Sequence, residues 1–538
     1  MKIFLFIISF LLKYILSNYT VKEENYRIIP LPKSIELMKG NPFILSSNTT
    51  IIYPKNDIPL EKLSKNFSSF IQDKTKLKLN ISSKLPKKKK NIILLLYDVT
   101  LKEEEYNIII NENIITISSS SAKGILYGIN TMRKSLPLIK NEISNIEISL
   151  TPIKINDYPT FKYRSIMLDC SRHFFPISFL KKIIQILSFH NLNYLHWHLT
   201  DDQGWRIEIK KYPLLTEIGS QRTNSHIERN TEEKNDLTYG SFYTQEEIKD
   251  FINYAKENFI TIIPEIDMPG HMLSLLSSYP NLGCSEGPYQ VTNNFGIFSD
   301  ILCVGKEETF NFIEDILNEL LELFPSEFIH IGGDEAPKNK WNSCPLCNQR
   351  KKEENINSYD HLQGYFSHRI QKFLSEKGRR IIGWDEILEG NIQQSAIIMS
   401  WSGINSGEKG VNLGHEVIMC PMSNMYFDYS QNPNHWAQPR TIGGLVNVST
   451  VYHFNPYGNI QKNLYNYVIG VQANLWTEYI FSEGGVMFQL LPRMAALSEV
   501  QWGIDNYNYS DFKNRINILT EMYDLYGYVY EREFIKNS

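Results

Sequence analysis

A surplus of charge is the first thing missing from this 538-residue chain: 55 Lys and Arg stand against 59 Asp and Glu, a formal net of −4. That balance offers nothing to nucleic acid or to an anionic membrane surface, and neither is expected as a partner. Cysteine is scarce as well. Six in a chain of this length exclude a disulfide-built scaffold. No stretch reaches 18 uninterrupted apolar residues, so no membrane span is expected once an N-terminal leader is removed. Cys344-x-x-Cys347 has no second pair at similar spacing, so no metal site and no cofactor is expected. What is present is a globular mix, 42% hydrophobic, 21% charged and 12% aromatic, which excludes a disordered or fibrous chain.

The apolar run Ile3 to Leu12 follows Lys2, and the small residue Ser17 stands at cleavage distance. The run is too short to span about 30 Å of hydrocarbon. Residues 1–18 therefore read as a signal peptide into the secretory pathway, ending outside the cell or in a lysosome-like vacuole. Asn-x-Ser/Thr sequons at Asn18, Asn48, Asn66, Asn80, Asn447 and Asn508 then become glycosylation sites. In that compartment Cys344–Cys347 is expected as a local disulfide and Cys284–Cys303 as a second pair. Cys170 and Cys420 read as small core residues.

Residues 19–155 are rich in Lys, Ile, Asn and Ser. Strand-like runs at Ile92–Tyr97, Tyr106–Ile110 and Ile114–Ser118, a hairpin signal at Asn111-Glu112-Asn113 and a helical pattern from Ala122 to Leu136 predict a small α+β domain. The basic run Lys87 to Lys90 reads as a solvated loop. From about 156 to 505 one theme repeats. Eight short apolar runs (Arg164–Leu168, Asn193–His196, Ile260–Pro264, Phe328–Ile331, Arg380–Gly383, Ala396–Met399, Glu416–Met419 and Val468–Val471) alternate with helix-period stretches. Eight such units predict a (β/α)8 TIM barrel. Residues 506–538, with apolar residues Phe512, Ile516, Leu519, Met522 and Leu525 at helical spacing, predict a terminal helix packed on the barrel.

Carboxylates and aromatics collect where the runs end: Asp169 and Arg172, Asp201 and Asp202, Glu265 and Asp267, Asp334 and Glu335, Asp385 and Glu386, Trp401, Tyr426 and Asp428, Trp476 and Glu478. Barrel enzymes keep their chemistry at that face. Aromatic walls with acidic neighbours suit a sugar ring, which shows apolar C–H faces and a rim of hydroxyls. Ordinary glycosidases place a carboxyl on each side of the scissile bond, about 5–9.5 Å apart. Sequence neighbours such as Asp334 and Glu335 are poorly placed for that. They suit a substrate that supplies its own 2-acetamido oxygen as nucleophile, one acid protonating the leaving oxygen while its neighbour orients the amide.

The segments Leu168-Asp-Cys-Ser-Arg-His-Phe-Phe175, His196-Trp-His-Leu-Thr-Asp-Asp-Gln-Gly-Trp-Arg206, Pro264-Glu-Ile-Asp-Met-Pro-Gly-His271 and His330-Ile-Gly-Gly-Asp-Glu335 resemble the signatures of β-N-acetylhexosaminidases, glycoside hydrolase family 20. The likeness runs from about residue 27 to 503. It implies exo-cleavage of terminal β-linked N-acetylglucosamine or N-acetylgalactosamine from oligosaccharides, glycoproteins or chitin fragments. It implies Glu335 as acid/base, Asp334 as the residue orienting the acetamide, and Tyr426 as donor to the acetamide oxygen. It implies Trp384, Trp401 and Trp476 as pocket walls, Arg172 as a clamp on O3 and O4, Asp428 and Glu478 as hydroxyl acceptors, and Asp201 and His271 as supporting charges. Many relatives dimerise, so a homodimer is compatible. Tyr429 stands where mammalian lysosomal members carry leucine or arginine, which leaves subsite preference open.

Three other readings compete. His196-x-His198 at a strand end suits a metal-dependent barrel hydrolase, although later strand ends offer Trp rather than further His. A barrel that only binds glycans is a second, and a two-carboxylate retaining enzyme with Asp428 or Glu478 as nucleophile a third. His173 and His190 read as hydrogen-bonded core residues, His330 as filling of the barrel mouth, and Met419, Met422 and Met425 as packing.

Overall fold

A computed structural model describes residues 18–140, 146–227, 233–236, 238–285, 287–433, 441–503 and 508–536. The segment read as a signal peptide lies outside them, apart from its last residue. The chain divides into two compact units: residues 1–160 with 502–528 and 535–538, and residues 161–501 with 529–534.

The first unit is built on a seven-stranded mixed sheet. Its spatial order is Ser34–Leu37, Ile153–Asp157, Tyr106–Ile110, Ile114–Ser119, Ile92–Tyr97, Thr50–Ile52 and Asn80–Ser82. The expected hairpin is formed: Tyr106–Ile110 pairs antiparallel with Ile114–Ser119, and Asn111 Oδ1 accepts from the N–H groups of Asn113 and Ile114. Alternation along Tyr106–Ile110 buries Tyr106, Ile108 and Ile110. Helix Ala122–Ser135 starts where Ser121 Oγ accepts from Gly124 N. The Lys87–Lys90 run is exposed.

The C-terminal helix corrects one expectation. Tyr509–Leu525 belongs to this first unit rather than to the barrel. Arg515 Nη1 donates to the Ile28 carbonyl at 2.9 Å, Arg27 pairs with Asp511 at 3.2 Å, and the Tyr526 ring lies 6.3 Å from Phe70. The apolar spacing named the buried face but not the partner.

The second unit is the eight-stranded closed barrel. Its strands are β1 (Tyr163–Asp169), β2 (Tyr194–His198), β3 (Thr261–Glu265), β4 (Phe328–His330), β5 (Arg380–Trp384), β6 (Ile397–Ser400), β7 (Val417–Met419) and β8 (Val468–Leu475). Every neighbouring pair is parallel, and β8 closes on β1. Each expected run contains or overlaps its strand, with β8 running four residues further. Outer helices present apolar stripes; Phe310, Ile313, Leu317 and Leu320 are the buried face of helix Glu307–Leu323. Helix Gln245–Glu257 begins in a capping box between Thr244 and Glu247.

Candidate active site

The mouth of the barrel, at the C-terminal ends of the strands, holds a cavity of about 410 Å³. Arg172, His271, Asp334, Glu335, Asp428 and Glu478 line it with charge, and Tyr426 and Trp476 with rings. The ends of five strands, β1, β3, β4, β7 and β8, thus bring together residues more than 300 positions apart, because each parallel strand delivers its following loop to one rim.

The turn after β4 sets the central pair. Gly332 and Gly333 adopt φ of +66° and +108°, and Glu335 itself +47°. A Cβ on Gly332 would stand 1.7 Å from Asp267 Oδ1, so only glycine fits that approach. Gly333 N donates to the same oxygen at 3.2 Å. Asp334 is buried while the Glu335 side chain is about a third exposed. Asp334 Oδ1 has no hydrogen-bond partner among the described residues. Burial, with repulsion from Glu265 and Glu335, raises the Asp334 pKa despite the opposing pull of His271.

His271 faces both carboxylates. Its Nε2 is 3.7 Å from Asp334 Oδ2 and 3.6 Å from Glu335 Oε2. Its Nδ1 lies 3.0 Å from Asp202 Oδ2 and 3.2 Å from Asp201 Oδ1. Burial alone would lower its pKa, but the charge of Asp201 and the close contacts with Asp201, Asp202 and Glu335 carry it well above the ordinary range. The imidazole is therefore a cation fixed beneath the pair.

Arg172 is held by four neighbours. It meets Asp201 at 2.8 Å and Asp169 at 3.2 Å, donates through Nε to Gln203 Oε1 at 2.9 Å, and lies 4.9 Å from the centre of the Trp476 ring. Its planar fork is thus fixed in one orientation at the cavity wall. Opposite it, Asp428 Oδ1 is buried and has no partner among the described residues, and burial with repulsion from Glu478 pushes its pKa well up. Burial raises Glu478 too.

Two expected walls sit elsewhere. Trp384 is fully buried, donates Nε1 to Glu265 at 2.9 Å and contacts the Trp476 ring at 5.9 Å, but does not itself line the cavity. Trp401 is half-buried, stacks on Tyr426 at 6.3 Å and donates to Glu386 at 2.9 Å, also outside the lining. Both support rings that do line it.

Sequence reasoning placed Glu265 at a strand end without giving it a role. In the structure it gathers His196, His198, His330 and Trp384. Burial opposes its charge, but the histidines hold its pKa well below the usual range. His198 contacts Glu265 through Nδ1 and Asp201 through Nε2, which makes it a bridging cation. Glu386 was missed likewise; burial and Asp334 push its pKa up to about 8. A buried acid at a strand end gives no sequence signal separating structural from catalytic use. The rim residues Phe295 and Ile297 were also missed, since they belong to an irregular loop.

Ligand atoms able to hold a metal come together in His196/Glu265/His330, in His198/Asp201/Asp267, in two groups around His271, and in Cys284/Cys303/Cys344/Cys347. The first two lie under the cavity and do not line it; in the first, Glu265 stands 3.0 Å from His196 and 2.9 Å from His330, and in the second, His198 meets Asp201 at 2.9 Å. The cysteines carry a second correction. All six are free, and the two expected disulfides give way to one four-sulfur cluster. Cys170 and Cys420 are buried as expected, as are His173, His190 and His330.

Residues 161–504 match the description "Glycosyl hydrolase family 20, catalytic domain", and residues 25–158 match "Glycosyl hydrolase family 20, domain 2". The chain belongs to glycoside hydrolase family 20. A β-hexosaminidase of Porphyromonas gingivalis is 36% identical over 94% of this chain and 64% of its own length, and one of Vibrio furnissii 33% over 76% and 66%. The chain thus spans slightly under two thirds of the length of these relatives. A family 20 exo β-N-acetylglucosaminidase of Vibrio harveyi, solved in complex with N-acetylglucosamine, superposes with a TM-score of 0.81 at 28% identity, over 94% of this chain and 78% of that one. Among the described residues no helix is long and apolar enough to cross a membrane.

Proposed function

We propose that the chain is a β-N-acetylhexosaminidase that removes terminal β-linked N-acetylglucosamine or N-acetylgalactosamine with retention, using the substrate's acetamide as nucleophile. The observation that carries this reading is the pairing of Asp334 and Glu335 on one turn, both facing the His271 cation inside the cavity. Glu335, the more accessible of the two, gives its proton to the departing glycosidic oxygen while the acetamide oxygen attacks the anomeric carbon. The ring that closes is a positively charged oxazolinium. Asp334, buried beside it, accepts the amide N–H and balances that charge. The Tyr426 hydroxyl, whose pKa burial keeps well above its usual value, stays protonated and donates to the acetamide oxygen. Water then opens the ring at the anomeric carbon, and Glu335 takes its proton back from that water.

Arg172 offers paired donors to ring hydroxyls, and the orphan oxygen of Asp428 is available to accept from another. A buried Asp428 of raised pKa is a poor nucleophile, which argues against the two-carboxylate mechanism. The Vibrio harveyi enzyme's N-acetylglucosamine complex supports the same sugar class for this cavity. Exposed sequon residues Asn48, Asn66, Asn80 and Asn508 support a secretory route, tested by a mass shift on enzymatic deglycosylation. The family resemblance adds a homodimer to the reading, tested by sedimentation velocity.

Aryl N-acetylglucosaminides and N-acetylgalactosaminides are expected to be split, and matched aryl glucosides lacking the amide to be inert. Comparable rates on the two, or a trapped glycosyl-enzyme ester, would refute the mechanism.

A further inference from the structure

Four cysteines from three stretches of chain converge beside the barrel. The sulfurs of Cys284, Cys303, Cys344 and Cys347 lie within 4.8 Å of one another. Cys284 to Cys347 measures 3.7 Å, Cys303 to Cys344 3.7 Å and Cys303 to Cys347 3.6 Å. We propose that this cluster is a structural zinc site, with all four thiolates as ligands.

The separations fit that ion. Zinc–sulfur bonds of about 2.3 Å in a tetrahedron put the sulfurs about 3.8 Å apart. A disulfide instead needs two sulfurs about 2.05 Å apart and singles out one partner. Here Cys303 and Cys347 each have two neighbours at nearly one distance. A soft, closed, all-sulfur donor set excludes magnesium, calcium and manganese and suits zinc.

The surrounding backbone is built to hold the sulfurs. An antiparallel bridge joins Gly283 to Leu302, and Cys303 N donates to the Leu282 carbonyl at 2.8 Å, which sets Cys284 beside Cys303. Cys344 precedes helix Pro345–Glu353 and Cys347 lies in its first turn. The two halves meet at Gly305. A Cβ there would stand 2.2 Å from the Leu346 carbonyl carbon and 2.4 Å from Cys347 N, so the chain needs glycine to close the cluster. Buried Trp341 ties the halves again, donating to the Leu302 carbonyl at 2.8 Å. Lys306 donates to the carbonyls of Asn281 and Gly283, placing a cation next to what would be a dianionic centre. Cys303, Cys344 and Cys347 are buried and Cys284 is half-buried, so the site is closed to substrate.

Its role follows from the loop that it clamps. Between Cys284 and Cys303 run Phe295, Gly296 and Ile297, which line the substrate cavity. The Asn294 carbonyl in the same loop accepts from Gln203, the partner of Arg172. Zinc at the foot of this loop holds that wall against the sugar site.

The test is metal analysis of the full-length protein purified without added metal. One zinc per chain is expected, with the four cluster thiols unreactive to a thiol reagent until a chelator and denaturant are added together. Replacement of the zinc by cobalt is expected to give the intense thiolate-to-metal absorption of a tetrahedral sulfur site. Absence of zinc, with an intact mass lighter by four hydrogens from two disulfides, would overturn the site, as would full zinc occupancy in a Cys344→Ser/Cys347→Ser variant. These readouts need no activity. In a folded, zinc-depleted Cys284→Ser variant, which removes only the half-buried ligand, KM for an N-acetylglucosaminide is expected to rise several-fold with kcat largely retained; an unchanged KM would overturn the anchoring role.

Discussion

Arg172 Nη2 lies 2.8 Å from Asp201 Oδ2, joining the loop after β1 to the loop after β2 beneath the sugar cavity. Burial works against the charge on Asp201, yet Arg172 and His271 together hold its pKa well below the usual range. Removing one member of such a buried pair strands the other. Arg172→Met is expected to cost about 3–5 kcal/mol of stability, and Arg172→Lys distinctly less, in urea unfolding. Both are expected to lose activity, because Lys keeps the charge but not the fork that reaches Asp169, Gln203 and the substrate at once.

On the proposed mechanism, Glu335→Gln removes the proton donor and spares the amide nucleophile. Its kcat on substrates with poor leaving groups is expected to fall about 10²–10⁴-fold. Aryl groups that leave without protonation are expected to suffer much less. Asp334→Asn acts on ring closure instead, so its loss should be similar for good and poor leaving groups. A Brønsted plot of rate against leaving-group pKa for the two variants separates them.

His271→Gln probes the cation under the pair. His271 lowers the pKa of Asp334, which the proposed mechanism needs ionised to balance the oxazolinium. Without that charge the carboxyl titrates higher. The acid-side fall of kcat/KM is expected to move upward by about one pH unit. The wild-type imidazole stays charged over the working range because its own pKa is raised. A variant with an unmoved acid limb would contradict the assignment.

In the first unit, Asp157 accepts from the Tyr106 hydroxyl at 2.6 Å and from Trp502 Nε1 at 2.9 Å, yet burial pushes its pKa up to about 6. The folded state prefers the neutral carboxyl, whereas the unfolded value is about 3.9. Stability from this group is full below about pH 4 and is lost as pH rises through about 6, a change of roughly 3 kcal/mol. Urea unfolding of wild type against Asp157→Asn at several pH values should show the wild type losing ground to the variant across that window.

Much of the fold was legible because it repeats. Continuous apolar runs bounded by polar ends are what a parallel strand buried on both faces must look like, and eight of them name a barrel. The paired acids, Arg172, Tyr426 and Trp476 were readable for a related reason: a loop that leaves a parallel strand has its place fixed by that strand. The helix at Tyr509–Leu525 was legible as a helix but not in its docking, since an apolar stripe carries no address.

Periodicity and strand-end chemistry, both local in the chain, determined the barrel, the charged and aromatic rim of its cavity and the place of the paired acids on that rim. Contacts between residues far apart were left to the tertiary structure. It put Glu265 under three histidines, moved Trp384 and Trp401 behind the lining rings, and drew Cys284, Cys303, Cys344 and Cys347 into one cluster. The reason is physical: spacing in sequence encodes the period of an element, while the meeting of Cys303 with Cys347 depends on the bridge at Gly283 and the close approach at Gly305.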